Sequence, residues 1–290
     1  MARSSLMVGT ADGTRLIGQR WTTDGPARAA VVLAHGMGEH SLRYDRLGRA
    51  LSAAGIDVLA VDQRGHGRTA GVAGAPLGAL GAVGWDGLVA DFALVVRSTR
   101  GERPGLPVVA LGHSMGSWVV QQYLLDHSDE VAAAVLSGTA ALDQVASVVD
   151  PTAELDLTAF NAPFAPARTD YDWLSRDAAE VDDYVAEPLC GFGLDAAGAQ
   201  GMLAAAARMA DPEALAGIRD GLPVYVLGGT DDPLNAGQAW LKPLLDRYRT
   251  AGLDVTTRLY DGGRHEMFNE TNRDEVVADL ITWLDAQLPS

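Results

Sequence analysis

Val108-Val109-Ala110-Leu111-Gly112-His113-Ser114-Met115-Gly116-Ser117-Trp118-Val119-Val120 decides the fold. Its first four residues are apolar and include a β-branched pair, as in a strand covered on both faces. A G-x-S-x-G run follows, and Ser117 to Asp126 has a helical pattern. A strand, a sharp turn with small flanks and then a helix is the setting of a nucleophile elbow. Such a turn lifts its serine above the sheet at a helix N-terminus, where positive dipole collects. Ser114 is the candidate nucleophile. The pentapeptide alone is also compatible with an ordinary strand-to-helix turn; the elements on either side favour the elbow.

Working outward, short apolar runs alternate with longer helical patterns. Val31 to Ala34, Val58 to Val61, Val135 to Leu136, Val224 to Leu227 and Thr256 to Tyr260 read as further strands. Helical patterns fall near Leu42 to Ala54, Trp85 to Arg100, Gln238 to Ala251 and Arg273 to Gln287. Leu6 to Thr22, with Asp12-Gly13 at its turn, reads as an antiparallel hairpin. The expected fold class is α/β: a mostly parallel eight-stranded sheet with helices on both faces. The alternation fails between Asp143 and Asp211, where prolines (Pro151, Pro163, Pro166, Pro188), aromatics and acids carry no strand signal. A structureless loop of that length is improbable in a compact domain. The expected organisation is therefore a core of residues 1–142 and 212–290 interrupted by a helical lid over 143–211.

A serine hydroxyl needs a base within hydrogen-bond reach. In elbow-type folds the chain order is serine, acid, histidine. Of the six histidines only His265 lies beyond the penultimate strand, in the loop Asp261-Gly262-Gly263-Arg264-His265-Glu266. It is the candidate base. The acid belongs after Val224 to Leu227, where Asp231 and Asp232 both stand. Asp232, at the loop apex before Pro233, is the choice, and Asp231 the alternative. Donors for a developing oxyanion are the Met115 N–H and, from the loop His35-Gly36-Met37-Gly38, the Met37 N–H. Asp62-Gln63-Arg64-Gly65-His66-Gly67 reads as a structural turn. His35 and His40, with Glu39 beside them, lie in a glycine loop and not on a common helix face, so no metal is expected.

Composition excludes other classes. Lys and Arg number 22 against 38 Asp and Glu, a net charge of -16, which argues against nucleic acid and anionic membranes. Apolar residues make up 48%, enough for a large core, yet no run approaches membrane-spanning length. Met1 to Thr10 lacks a signal-peptide pattern, and a cytoplasmic protein without stable membrane insertion is expected. Cys190 is the one cysteine, so no internal disulfide forms.

Together these residues resemble the monoacylglycerol lipase and lysophospholipase-like branch of the α/β-hydrolase superfamily. His35-Gly36-Met37-Gly38-Glu39-His40-Ser41 is similar to its oxyanion loop, and Asp62 to Gly67 and Gly112 to Gly116 to its next two signatures. Gly229-Thr230-Asp231-Asp232 aligns with its acid turn, favouring Asp232. Arg264-His265-Glu266-Met267-Phe268-Asn269-Glu270 resembles its histidine loop, and Pro166 to Asp177 and Glu187 to Cys190 resemble bacterial lids. The resemblance implies an α/β-hydrolase fold, a lid over an acyl pocket, no cofactor, and a serine esterase acting on monoacylglycerols or similar neutral monoacyl esters. Lysophospholipase, thioesterase and acyltransferase remain alternatives, as does a non-catalytic ligand-binding protein on the same scaffold. A monomer or homodimer is expected. One departure is Ser117-Trp118, where glycine and a smaller residue are usual; it is expected to narrow the wall behind the nucleophile.

Overall fold

The computed structural model describes residues 2–150 and 155–288; Pro151 and Glu154 of the inserted stretch lie outside them. Along the chain run β1 (Ala2–Gly9), β2 (Arg15–Thr22), β3 (Ala29–Ala34), α1 (Asp45–Ala53), β4 (Ile56–Val61), α2 (Gly67–Ala73), α3 (Gly84–Glu102), β5 (Val108–His113) and α4 (Met115–His127). Then follow β6 (Ala133–Ser137), α5 (Leu142–Ala146), α6 (Ala178–Ala186), α7 (Ala196–Met209), α8 (Pro212–Leu215), β7 (Pro223–Gly229), α9 (Leu241–Thr250), β8 (Asp254–Tyr260) and α10 (Arg273–Gln287). One eight-stranded sheet takes the order β1-β2-β4-β3-β5-β6-β7-β8. β1 and β2 form the antiparallel hairpin, β2 joins β4 antiparallel, and every later pairing is parallel.

Burial follows position in the sheet. All residues of β3, β4, β5 and β6 are buried, whereas the edge strands β1 and β8 are largely exposed along one face. Because side chains alternate across a strand, the two faces feed separate cores. Val31, Leu33, Val109 and Leu111 pack with Leu47 and Leu51 of α1 and Leu280 and Leu284 of α10. Val32, Ala110 and Leu136 pack on the other side with Phe92 of α3 and Val120 and Tyr123 of α4. Central strands must therefore be apolar at nearly every position, which is why they were legible as runs.

At two boundaries the departure from expectation has a clear backbone cause. β1 begins at Ala2, because its backbone continues in register with β2 although its first residues are polar and exposed. α9 begins at Leu241 and not near Gln238: Ala236, Gly237 and Gln238 all have positive φ (49°, 61° and 73°), which no right-handed helix accepts. The connection from β6 to β7 contains α5 to α8 and 3₁₀ turns at Leu157–Phe164 and Asp172–Leu174, with no strand among its described residues. Asp156, Asp177, Asp195 and Asp211 each accept a backbone N–H at the start of one of these elements, so several of its acids cap the N-termini of helices and turns and are not free surface charge.

From β3 the chain passes to β4 on one side and returns to β5 on the other. The carboxyl ends of β3 and β5 thus flank a topological switch point, where open α/β sheets leave a crevice for ligands.

Candidate active site

Ser114 occupies that crevice. Its backbone has φ 52° and ψ -122°, a conformation that costs a non-glycine residue strain and is held by the surroundings. The Ser114 N–H donates to the Ser137 carbonyl at 2.9 Å. The flanking glycines are obligatory: a Cβ at Gly116 would collide with the Ala34 carbonyl, and one at Gly112 with the Gly116 carbonyl. Met115 opens α4, so its N–H has no intrahelical partner. The Met37 N–H in the loop after β3 likewise donates to no acceptor among the described residues. Both residues line the same cavity as Ser114.

His265 lies in the loop after β8 and is 2% exposed. Its Nδ1 lies 3.0 Å from each carboxylate oxygen of Asp232, which is 1% exposed in the loop after β7. A carboxylate at Nδ1 fixes the proton there and leaves Nε2 as an acceptor. Asp232 Oδ1 also accepts the Leu234 N–H at 2.9 Å. Asp231, by contrast, is exposed and its side chain meets the Thr230 hydroxyl at 3.3 Å. Burial pulls the His265 pKa down, but the charge and hydrogen bond of Asp232, helped by Glu266 and Glu39, leave it above the ordinary 6.5. The imidazole is gripped by two rings at 4.8 Å, His113 on β5 and Trp173 from the β6–β7 connection. Burial pushes His113 down to about 4, so it adds no charge there near neutral pH. Nε2 of His265 is buried without a hydrogen-bond partner among the described residues, and His265 lines the same cavity as Ser114. No hydrogen bond joins Ser114 Oγ to Nε2 among the described residues; the bond between nucleophile and base often tightens only when substrate arrives.

The cavity encloses about 330 Å³. Its lining is mostly apolar, with Trp118, Val145, Met202, Leu203, Leu234 and Trp240, and also includes Glu39, Tyr184 and Glu266. The departure at Ser117-Trp118 has a visible result. Ser117 Oγ lies 2.6 Å from the Ser114 carbonyl and from Thr139 Oγ1, and Trp118 Nε1 donates to the Ala140 carbonyl at 3.0 Å. The indole is thus fixed as a wall one turn beyond the nucleophile. The inserted aromatics divide. Phe160, Trp173 and Tyr184 line the cavity, but Phe192 packs on His66 and Phe164 lies under Arg264, so they do not all face the pocket.

The other signatures are structural. Asp62 accepts from Ser41 and Arg68, and Arg64 binds Asp91 and Asp12. His35 Nε2 accepts the Gln63 N–H at 2.9 Å and so belongs to that turn. Among the described residues no group of three or more His, Cys, Asp or Glu could hold a metal ion, and no helix is long and apolar enough to cross a membrane. Burial pushes the Cys190 thiol up, away from the reactive thiolate. Three residues that the sequence alone does not single out also stand at the site: Trp173 on the imidazole, and Arg43 and Glu266 in a buried ion pair.

The sequence profile described as serine aminopeptidase S33 (Hydrolase_4) matches residues 25–272. The chain belongs to this S33 hydrolase family. It is 35% identical over 280 residues to a monoacylglycerol lipase of Mycolicibacterium smegmatis, covering 95% of both chains. It is 31% identical over 273 residues to human monoglyceride lipase, covering 90% of this chain and 82% of that one. Among solved structures, a thermostable carboxyl esterase of Bacillus coagulans in complex with glycerol superposes with a TM-score of 0.89 at 26% identity, covering 99% of each chain. The fold of this S33 hydrolase is accordingly the α/β-hydrolase fold.

Proposed function

We propose that the protein hydrolyses carboxylic esters of neutral monoacyl alcohols, monoacylglycerols foremost, through an acyl-enzyme on Ser114. The observation that carries this reading is the shared cavity: the strained serine, His265 backed by Asp232, and two unengaged backbone donors meet at one largely apolar chamber. The similarity to two monoacylglycerol lipases over most of the chain supports the substrate class.

In the proposed reaction His265 Nε2 takes the Ser114 hydroxyl proton as Oγ bonds to the ester carbonyl carbon. The carbonyl oxygen gains the negative charge and is met by the Met37 and Met115 N–H groups. Collapse breaks the bond to the alcohol oxygen, which leaves with the proton from His265. Water then enters, gives its proton to His265 and attacks the acyl carbon. The carboxylic acid departs, and Ser114 regains its proton. Asp232 keeps Nδ1 protonated and stabilises the transient imidazolium. No metal or organic cofactor has a part in these steps. Residues 143–211 act in this reading as a lid whose aromatics and aliphatic side chains wall the acyl chain. We also infer a monomer or homodimer working in the cytoplasm, in keeping with a single cysteine and the absence of a membrane-spanning helix among the described residues.

A panel of monoacylglycerols from short to long chain, lysophospholipids, acyl thioesters and aminoacyl anilides tests the proposal. Monoacylglycerols should give the highest kcat/KM, and Ser114→Ala should abolish it. Preference for the anilides would restore the peptidase activity in the family's description. That activity needs an anchor for a substrate ammonium group; of the carboxylates that line the cavity, Glu39 and Glu266 are already engaged by Arg43, so such a substrate would have to use Asp150 or Asp156.

A further inference from the structure

Acyl transfer as proposed above needs three segments in register: the loop after β3 with Met37, the loop after β8 with His265, and the β6–β7 connection above them. One side chain touches all three. Arg43 Nη1 donates to Glu39 Oε2 at 2.9 Å and to Glu266 Oε1, while Nη2 donates to Glu266 Oε2 at 2.7 Å. Its guanidinium carbon sits 4.7 Å from the centre of the Tyr184 ring, and the Tyr184 hydroxyl donates to the Gly38 carbonyl at 2.9 Å.

Each partner acts on a catalytic loop. Glu39 Oε1 accepts the Gly36 N–H, one residue before Met37, and the Tyr44 hydroxyl at 2.7 Å. Glu266 follows His265 directly, takes the Asn269 amide at 3.1 Å, and donates its own N–H to the Leu174 carbonyl at 2.8 Å. Both carboxylates are buried, Glu39 at 2% and Glu266 at 5% exposure, and both border the cavity, whereas Arg43 does not. Two carboxylates that far from water need the cation between them. The planar fork of arginine bonds both Glu266 oxygens and Glu39 at once; a lysine ammonium is a point charge without that fork.

We propose that Arg43 is a positioning residue that locks the oxyanion loop, the histidine loop and the roof into the reactive arrangement through its bidentate fork. The proposal rests on the Ser114 reading. Arg43 touches neither substrate nor reacting atoms, so its effect is on where Met37 and His265 stand. A displacement of about 1 Å at such groups is enough to cost roughly 100-fold in rate.

The test compares Arg43→Lys and Glu266→Gln, singly and together, with Ser114→Ala as reference. Active sites are counted by end-point fluorophosphonate labelling, so a partly folded preparation lowers the count and not the rate per site. Lysine keeps the charge near His265, whose other charged or titratable neighbours are Asp232, His113, Glu39 and Glu266. For Arg43→Lys, kcat on a monoacylglycerol should fall roughly 100-fold with KM within about twofold and the acid limb of the pH profile in place. The labelling rate of Ser114 should fall in parallel. Glu266→Gln, which keeps the side chain's shape, should lose kcat alike, with its acid limb moved down because the Glu266 charge helps raise the His265 pKa, and carries the test if the lysine variant does not fold. The double variant should be no slower than the slower single. Wild-type kcat per site in both variants, a change in KM alone, or additive losses would overturn the proposal. Turnover surviving in Ser114→Ala would instead remove the reading beneath it.

Discussion

The carboxyl rim of the sheet and the β6–β7 connection build one cavity by different means. On the rim, chemistry is set by backbone: Ser114 at φ 52°, glycines with no room for a Cβ, and Asp232 held at a loop apex by the Leu234 N–H. In the connection, shape is set by side chains, with Phe160, Trp173, Met202 and Leu203 closing the chamber over residues held by 3₁₀ turns and short helices. Rim positions admit few residues; roof positions admit any side chain of suitable size and polarity. Changes on the rim should therefore be nearly all-or-none, and changes around the chamber graded. The two are still coupled, since the Leu174 carbonyl accepts the Glu266 N–H and Arg264 donates to the Ser175 carbonyl at 3.1 Å.

The largest expected effect is on the rim. Ser114→Ala and His265→Ala should each lower ester turnover roughly 1,000-fold or more, with no further loss in the double variant because the pair acts as a unit. Asp232→Asn should approach that loss, whereas Asp231→Asn should stay within about threefold of wild type. Steady-state kinetics on folded protein decide it; a worse Asp231 variant would move the acid by one residue.

The second comparison is made at the chamber wall. A cavity of about 330 Å³ is near the lower end of the usual range for ligand sites, roughly 300–1,000 Å³. Trp118→Ala should raise kcat/KM for long-chain relative to short-chain monoacylglycerols by about tenfold or more, at a cost of about 3–5 kcal/mol in stability. Trp118→Phe should fall between. A uniform loss across chain lengths would make the indole a support of the Ala140 loop and not a gauge of the acyl chain.

The pH profile probes the base. His265 must be neutral to accept the Ser114 proton, and Asp232 outweighs burial to hold its pKa above 6.5. The acid limb of kcat/KM should therefore lie above the ordinary imidazole value, with activity rising as pH rises through it. A limb below 6.5 would mean that burial wins over the carboxylate.

The smallest effect concerns charge. Between Asp150 and Asp211 the chain carries twelve acids against three arginines. Several are engaged, among them Glu180 with Arg46 and Asp177 with Arg273, which weakens the field of this stretch, whose own net charge stays negative. An anionic lysolipid should be a poorer substrate than a monoacylglycerol of equal chain length, and the gap should narrow modestly as salt shortens the Debye length below about 8 Å. A preference for the anionic lipid at low salt would contradict this.

What was legible in the sequence follows the same division. The central strands had to be apolar on both faces, and the elbow needs glycine at fixed places, so β3 to β6 and Ser114 stood out locally. His265 could be isolated because chain order leaves one histidine after the penultimate strand. Arg43 could not: its partner Glu266 lies 223 residues away, and a buried pair has no local signature. Trp173 reads as one more lid aromatic until its ring is seen against His265. The start of α9 was misplaced because Ala236 and Gln238, on either side of Gly237, take left-handed backbone although neither is a glycine.

The central claim is a covalent acyl-enzyme on Ser114. Mass spectrometry of the protein after stepwise titration with a fluorophosphonate, with monoacylglycerol hydrolysis followed in the same samples, tests it most directly. The expected result is one adduct per chain, mapped to Ser114, with hydrolysis falling in proportion to occupancy and no adduct in Ser114→Ala. Hydrolysis that persists at full occupancy, or an adduct on another residue that accounts for the loss, would contradict it.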